Sequence, residues 1–166
     1  MTATDARIAE LVRQVAAALA ACSARIAVAE SCTGGWICRA LTDLTGCSSW
    51  FGYGFVCYSN RAKVEVLHVS PDTLAAQGAV SQDVAEQMAT GARLRSGAEV
   101  ALAVTGVAGP DGGTPDKPVG TVWMAWSGPG VQLRSRAFRF DGDREAVRRQ
   151  AVQAALEGVI RELSGT

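Results

Sequence analysis

The 166-residue sequence predicts an α/β sandwich built on a mixed sheet. Three observations carry that expectation. Segments with helical spacing alternate with short apolar runs; the last two extended runs flank Ser127-Gly128-Pro129-Gly130 and read as a hairpin; and two apolar strands each run into a glycine-bearing loop. No repeat, low-complexity tract or long linker divides the chain, so residues 1–166 are expected to form one domain around one core.

The elements follow in order. Ile8, Leu11, Val12, Val15 and Leu19 stand at helical spacing and predict a first helix over about 4–22. Leu19-Ala20-Ala21-Cys22 spells a bacterial lipoprotein cleavage box, but Asp5, Glu10, Arg13 and Gln14 interrupt the apolar stretch before it, which favours a soluble helix. Arg25–Ala29 is a short buried strand that stops at the polar turn Glu30-Ser31-Cys32-Thr33-Gly34-Gly35. A helix then buries Trp36, Ile37, Ala40 and Leu41 and ends at Gly46. Trp50–Tyr58 is aromatic and β-branched enough for a strand, with Gly52 and Gly54 loosening it or marking a bulge. Asn60 caps a short helix to about Leu67, and Ser81 caps a longer one to about Ser96, with Asp83 and Glu86 near its positive end. Val100–Val104 is a second apolar strand, Val119–Trp126 and Val131–Phe140 form the hairpin, and Asp143 opens a last helix with Val147, Ala151, Ala155 and Val159 inward.

Composition narrows the chemistry. Sixteen basic and sixteen acidic residues cancel and no basic block stands out, which argues against nucleic-acid binding. No run approaches the ~20 apolar residues of a membrane span. Five cysteines without a CxxC pair suit neither a zinc ribbon nor a disulfide framework and imply a reducing, cytoplasmic compartment. His68 is the one histidine, so no His-rich metal site is expected and any imidazole relay would have to use it. Fourteen of the basic residues are Arg; only Lys63 and Lys117 are Lys. A general base is therefore expected among Lys, Tyr and carboxylates.

Four segments are candidates for chemistry. The Ser31–Gly35 turn precedes a helix, whose free N–H groups attract phosphate or a developing oxyanion; a plain capped turn is the competing reading. Residues 105–120 hold five of eighteen glycines and three of five prolines, and so long a loop reads as a substrate wall or lid. Tyr58 and Lys63 put a phenol and an amine within a helical turn of one another, and burial would make that amine a base. Gly46-Cys47-Ser48-Ser49 supplies hydroxyls before a strand, while Arg144 and Arg148, four apart on one helix face, suit an anionic ligand or a solvated ion-pair network.

Several stretches, in order, resemble the C-terminal domain family of the competence/damage-inducible protein CinA, and within it the stand-alone nicotinamide-nucleotide amidohydrolases. They are Ala29–Gly35, Trp50-Phe51, Gly54-Phe55-Val56, Tyr58-Ser59-Asn60 with Ala62-Lys63, Gly78–Ser81, Thr105–Gly113, Lys117–Val122 and Gly142-Asp143-Arg144 with Val147-Arg148. The resemblance implies a three-layer α/β/α domain on a five-stranded mixed sheet, forming a homo-oligomer. It implies hydrolysis of the carboxamide of nicotinamide mononucleotide (NMN) to nicotinate mononucleotide and ammonia, with no metal or other cofactor. Carried over, it puts the nucleophile at Ser48 with Tyr58 and Lys63 as activating partners; Ser31, which sits at a strand-to-helix turn, is the second candidate nucleophile. Ser31, Thr33, Gly34 and Gly35, then Thr105, Gly106, Gly109, Gly112 and Gly113, with Arg144 and Arg148, would hold the nucleotide. Cys47, Ser49, Tyr53, Cys57, Arg61 and His68 depart from the family pattern, and Arg61 is expected to add positive charge beside the base. A catalytically silent nucleotide-binding module of the same family is the alternative.

Overall fold

The computed structural model describes residues 3–128 and 131–164; Pro129 and Gly130 of the expected hairpin turn lie outside the described residues. In chain order the elements are α1 (Ala3–Ala21), β1 (Ile26–Glu30), α2 (Trp36–Thr42), a 3-10 turn (Cys47–Ser49), β2 (Phe51–Val56), α3 (Asn60–Leu67), α4 (Pro71–Gln77), α5 (Gln82–Ser96), β3 (Val100–Gly106), β4 (Thr121–Gly128), β5 (Val131–Arg139) and α6 (Arg144–Ser164). The strands form one sheet in the order β2-β1-β3-β4-β5. The first three are parallel, and β4 and β5 run antiparallel to their neighbours. This is the mixed five-stranded sheet, covered by helices on both faces, that the sequence predicts.

The central strands are more than apolar runs. Successive side chains of a strand point to opposite faces, and here large residues alternate with alanine. Ile26, Val28, Val100, Leu102, Val104, Val122, Met124 and Trp126 share one core with Leu11, Val15 and Leu19 of α1 and Val152 and Leu156 of α6. Ala27, Ala29, Ala101, Ala103 and Ala125 share the other with Val84, Met88, Ala89 and Ala92 of α5. Small side chains let α5 lie close to the sheet. Its Gly91 also lies close to the end of α3, where an added Cβ would fall 2.0 Å from the Leu67 carbonyl oxygen. Gly91→Ala should therefore destabilise the fold by about 2 kcal/mol through overpacking, lowering Tm by roughly 4–8 °C in thermal unfolding.

Two details refine the sequence reading. The bulge expected at Gly52 or Gly54 is seen as a register shift: Ile26 and Ala27 of β1 face Phe51 and Tyr53, so Gly52 is skipped. Helix α4 was not anticipated, although Ser70 caps it with its side chain and Pro71 occupies its first turn.

The connections decide where a site can form. From β1 the chain crosses to β2 by α2, whose Ile37 and Leu41 belong to the α1–α6 core. From β2 it crosses to β3 by α3, α4 and α5 on the other face. Chain ends leaving β1 and its neighbours toward opposite faces open a crevice beyond the carboxyl ends of the parallel strands.

Candidate functional site

Ser31 follows β1 directly, and the alternation of the strand decides where it points. Val28 belongs to the α1–α6 core and Ala29 to the α5 core. Glu30 therefore turns toward α2, and Ser31 turns toward α3. There Ser31 Oγ lies 3.0 Å from Lys63 Nζ. Ser59 caps α3 by accepting from the Ala62 N–H, which starts the helix and sets Lys63 in its first turn. The Lys63 side chain, 1% exposed, donates to the carbonyls of Cys57 (2.9 Å) and Tyr58 (3.0 Å) at the end of β2.

Lys63 Nζ thus faces three oxygens: an ammonium donates to all three, whereas the neutral amine donates to the two carbonyls and turns its lone pair to the Ser31 hydroxyl. Among the described residues no carboxylate forms an ion pair with Lys63. Burial lowers the Lys63 pKa below the ordinary lysine value; the nearby Cys57 and Cys32 thiols oppose this only where they ionise. Burial also pushes the Cys32 thiol up to about 12, so it stays uncharged near neutrality.

The turn after Ser31 is held from both sides. Gly34 (φ 61°) and Gly35 (φ 92°) take left-handed conformations that a side chain would strain. The buried Glu30 carboxylate accepts from the N–H groups of Gly35 (3.0 Å), Ile37 (3.1 Å) and Cys38 (2.8 Å). Ser31 N–H donates to Val104 O and Gly34 N–H to Ser31 O. From α6, Arg148 donates to the carbonyls of Cys32 (3.1 Å) and Thr33 (2.7 Å) while its guanidinium lies over the Trp36 ring. The N–H groups of Cys32 and Thr33 have no acceptor among the described residues, and the buried Thr33 Oγ1 has no partner there either. Of the two readings of this turn, capping holds at its exit, where Glu30 takes the Gly35, Ile37 and Cys38 N–H groups, while those of Cys32 and Thr33 stay open. The signal of Glu30 in the sequence is a lone acid at the end of an otherwise apolar strand.

The mouth of the crevice joins three further segments. Tyr58 is 60% exposed, and its phenol oxygen accepts from Arg144 Nη2 at 3.1 Å. Arg144 Nη1 donates to Gly109 O at 2.8 Å, tying the 105–113 loop to the end of β2. The other residues of that loop serve its own shape. Thr105 Oγ1 is spent on Ala79 O, and a Cβ on Gly106 or Gly113 would meet Val122 or the Val119 nitrogen at 2.7 Å. Gly109 (φ 83°) and Gly112 (φ 88°) need positive φ. Lys117 reaches back to Gln77 O, so this lysine anchors the loop.

The structure does not bring Ser48 to Lys63. Ser48 is exposed in the 3-10 turn before β2, where Trp50 O accepts from Ile26 N–H at the beginning of β1. Lys63 lies past the other end of the parallel pair, where Val56 faces Glu30. The four residue steps along β1 alone separate the two edges by roughly 13 Å. The expected charge effect of Arg61 is absent as well. Its side chain is 83% exposed and pairs with Glu65 at 2.7 Å. His68 ends α3 in a left-handed conformation at φ 56°.

A cleft of about 1020 Å³ lies beside the Ser31 turn, between α1, α2 and α6. Gly34, Gly35, Trp36, Arg39, Arg144 and Arg148 are among its lining residues, whereas Ser31 and Lys63 are not. Reactive groups converge at Ser31 and Lys63; the cleft beside them has mixed charge, with Asp5, Asp43 and Glu145 among the arginines and Arg149 paired to Asp5 and Glu145.

Comparison with known proteins gives the family. The CinA C-terminal domain model matches residues 8–163. The chain is 56% identical over 140 residues to nicotinamide-nucleotide amidohydrolase PncC of Pseudomonas putida, covering 84% of this chain and 86% of that one. Identity to the PncC of Escherichia coli K12 is 48% over 154 residues and 93% of each chain. A CinA-like protein of Geotalea daltonii is 54% identical over 140 residues, but the match spans only 34% of that protein. Among solved structures, a CinA superfamily protein from Klebsiella pneumoniae superposes with a TM-score of 0.91 at 41% identity, over 96% of this chain and 99% of that one. The competence/damage-inducible protein CihA of Agrobacterium tumefaciens gives 0.91 at 42% identity, over 95% and 96%. The domain match and these alignments along most of the sequence agree with the fold: the chain belongs to the CinA C-terminal domain family.

Proposed function

We propose that this protein hydrolyses the carboxamide of NMN, with Ser31 as nucleophile and neutral Lys63 as its base. The observation that carries the reading is the buried 3.0 Å contact between Lys63 Nζ and Ser31 Oγ, with no carboxylate paired to the amine among the described residues. The names of the PncC relatives supply the substrate.

Lys63 Nζ accepts the Ser31 proton as Oγ attacks the carboxamide carbon. The oxyanion develops beside the open N–H groups of Cys32 and Thr33, which need no reorganisation to receive it. The Lys63 ammonium then passes its proton to the departing nitrogen, the C–N bond breaks and ammonia leaves an acyl-Ser31 ester. Water, deprotonated by the regenerated amine, attacks that ester; the Ser31 oxygen recovers the proton and nicotinate mononucleotide is released. Tyr58 and Arg144 at the mouth suit the ribose and phosphate end of the nucleotide.

Purified protein incubated with NMN should release ammonia and nicotinate mononucleotide in equal amounts. No release across about pH 6 to 10 would refute the reading. The pH profile carries a second expectation. The free base is the active form, so kcat/KM should fall as pH drops through the Lys63 pKa. Because burial lowers that pKa, the acid limb should lie below the ~10.4 of a solvated lysine. A limb at the solvated value would show that Lys63 is not the base.

A further inference from the structure

We infer that Glu30 is a positioning residue that sets nucleophile, base and oxyanion donors in register; this rests on the hydrolytic reading above. Glu30 is fully buried, in a strand whose other residues are all buried and apolar. A carboxylate in that place is costly unless its lone pairs are taken, and here three N–H groups take them. The same residue grips the other half of the site. Its main-chain oxygen accepts from Cys57 N–H at 2.8 Å, and Cys57 and Tyr58 are the two residues whose carbonyls hold Lys63. The next residue in the chain is Ser31.

One residue thus fixes three things. Its side chain fixes the amino end of α2 and the exit of the turn. Its main chain fixes the carbonyl cradle of the base. Its peptide link fixes the nucleophile between them. By filling the amino end of α2, the carboxylate also leaves the Cys32 and Thr33 N–H groups as the open donors of the turn. Its carboxylate is spent on α2 N–H groups and makes no hydrogen bond to Lys63, so its part in the reaction rests on geometry.

The test compares Glu30→Gln with the parent protein by NMN kinetics, pH profile and amide hydrogen exchange. The isosteric amide keeps the volume and loses the charge and one acceptor. A shift of the turn by about 1 Å should lower kcat about 100-fold. KM should stay within about threefold and the acid limb should not move, since neither binding nor the base is touched. Exchange should quicken about tenfold or more at Gly34, whose N–H bonds to Ser31 and not to Glu30, because the whole turn loosens. A cap that only steadies α2 would quicken Gly35, Ile37 and Cys38 alone and leave kcat unchanged; that result overturns the inference. So does a displaced acid limb, which would mean an electrostatic role. If Glu30→Gln does not fold, Glu30→Asp, which keeps the charge on a shorter arm, decides: a lowered kcat at constant KM supports positioning, and the parental kcat overturns it. If the parent releases no ammonia from NMN, the hydrolytic reading fails, and exchange at Gly34 still supports or overturns the hold of Glu30 on the turn.

Discussion

Ser31→Ala should lower kcat for ammonia release from NMN by about 10,000-fold or more, because the step that forms the acyl ester disappears with its oxygen. Ser48→Ala should retain activity within about threefold, as expected for an exposed turn away from the site. The two variants separate the nucleophile that geometry favours from the one carried over by resemblance. Ser31 Oγ touches the buried amine; Ser48 stands at the other edge of the sheet. KM for Ser31→Ala should change little, because the hydroxyl meets the carboxamide carbon and not the nucleotide's phosphate. Trapping with a serine-reactive sulfonyl fluoride gives an independent reading, with mass added to the peptide that contains Ser31. Activity lost in Ser48→Ala and kept in Ser31→Ala would reverse the assignment.

Lys63→Ala should be nearly as damaging, at about a thousandfold or more in kcat, since it removes the general base and the proton donor to the leaving nitrogen together. Lys63→Arg should not rescue it, because a guanidinium stays protonated across the accessible pH range. Small primary amines offer a sharper check. The truncated side chain leaves a space between Ser31 Oγ and the Cys57 and Tyr58 carbonyls. Methylamine or ethylamine entering it should restore part of the rate in proportion to the free-base concentration. Restoration that followed the ammonium form would contradict the mechanism. Lys63→Met, which fills the space with an apolar chain, should be equally inactive and beyond rescue. Its folding should survive, since a desolvated amine is exchanged for a side chain that suits burial.

Much of this arrangement was legible in the residues, and the failures have physical causes. The strands at Ile26 and Val100, the turn at Ser31 and the helix carrying Lys63 all follow from local pattern. Tyr58 and Lys63 were expected at one pocket, and both border the crevice, though Tyr58 meets the base through its carbonyl and not its phenol. Ser48 was misplaced because direction along the sheet was left out. Two parallel strands joined by a helix put whatever precedes the second strand at the edge opposite the active crevice. The lone acid that ends an apolar strand marks Glu30 as unusual but not as a cap, because it stands six positions before α2 begins and only the tertiary turn brings the carboxylate to those N–H groups. Helix α4 buries only Leu74 and so shows no apolar period, although Ser70-Pro71 marks its start.

The grip of Arg148 on the Ser31 turn spans 116 and 115 positions of sequence to Cys32 and Thr33. A chain emerging from the ribosome therefore carries Ser31 and Lys63 long before it carries the clamp on the turn that follows Ser31. Long-range closure of this kind is costly and late relative to local structure. A nascent or truncated chain ending ahead of α6 would present Ser31 and Lys63 yet leave the turn beside them unfastened.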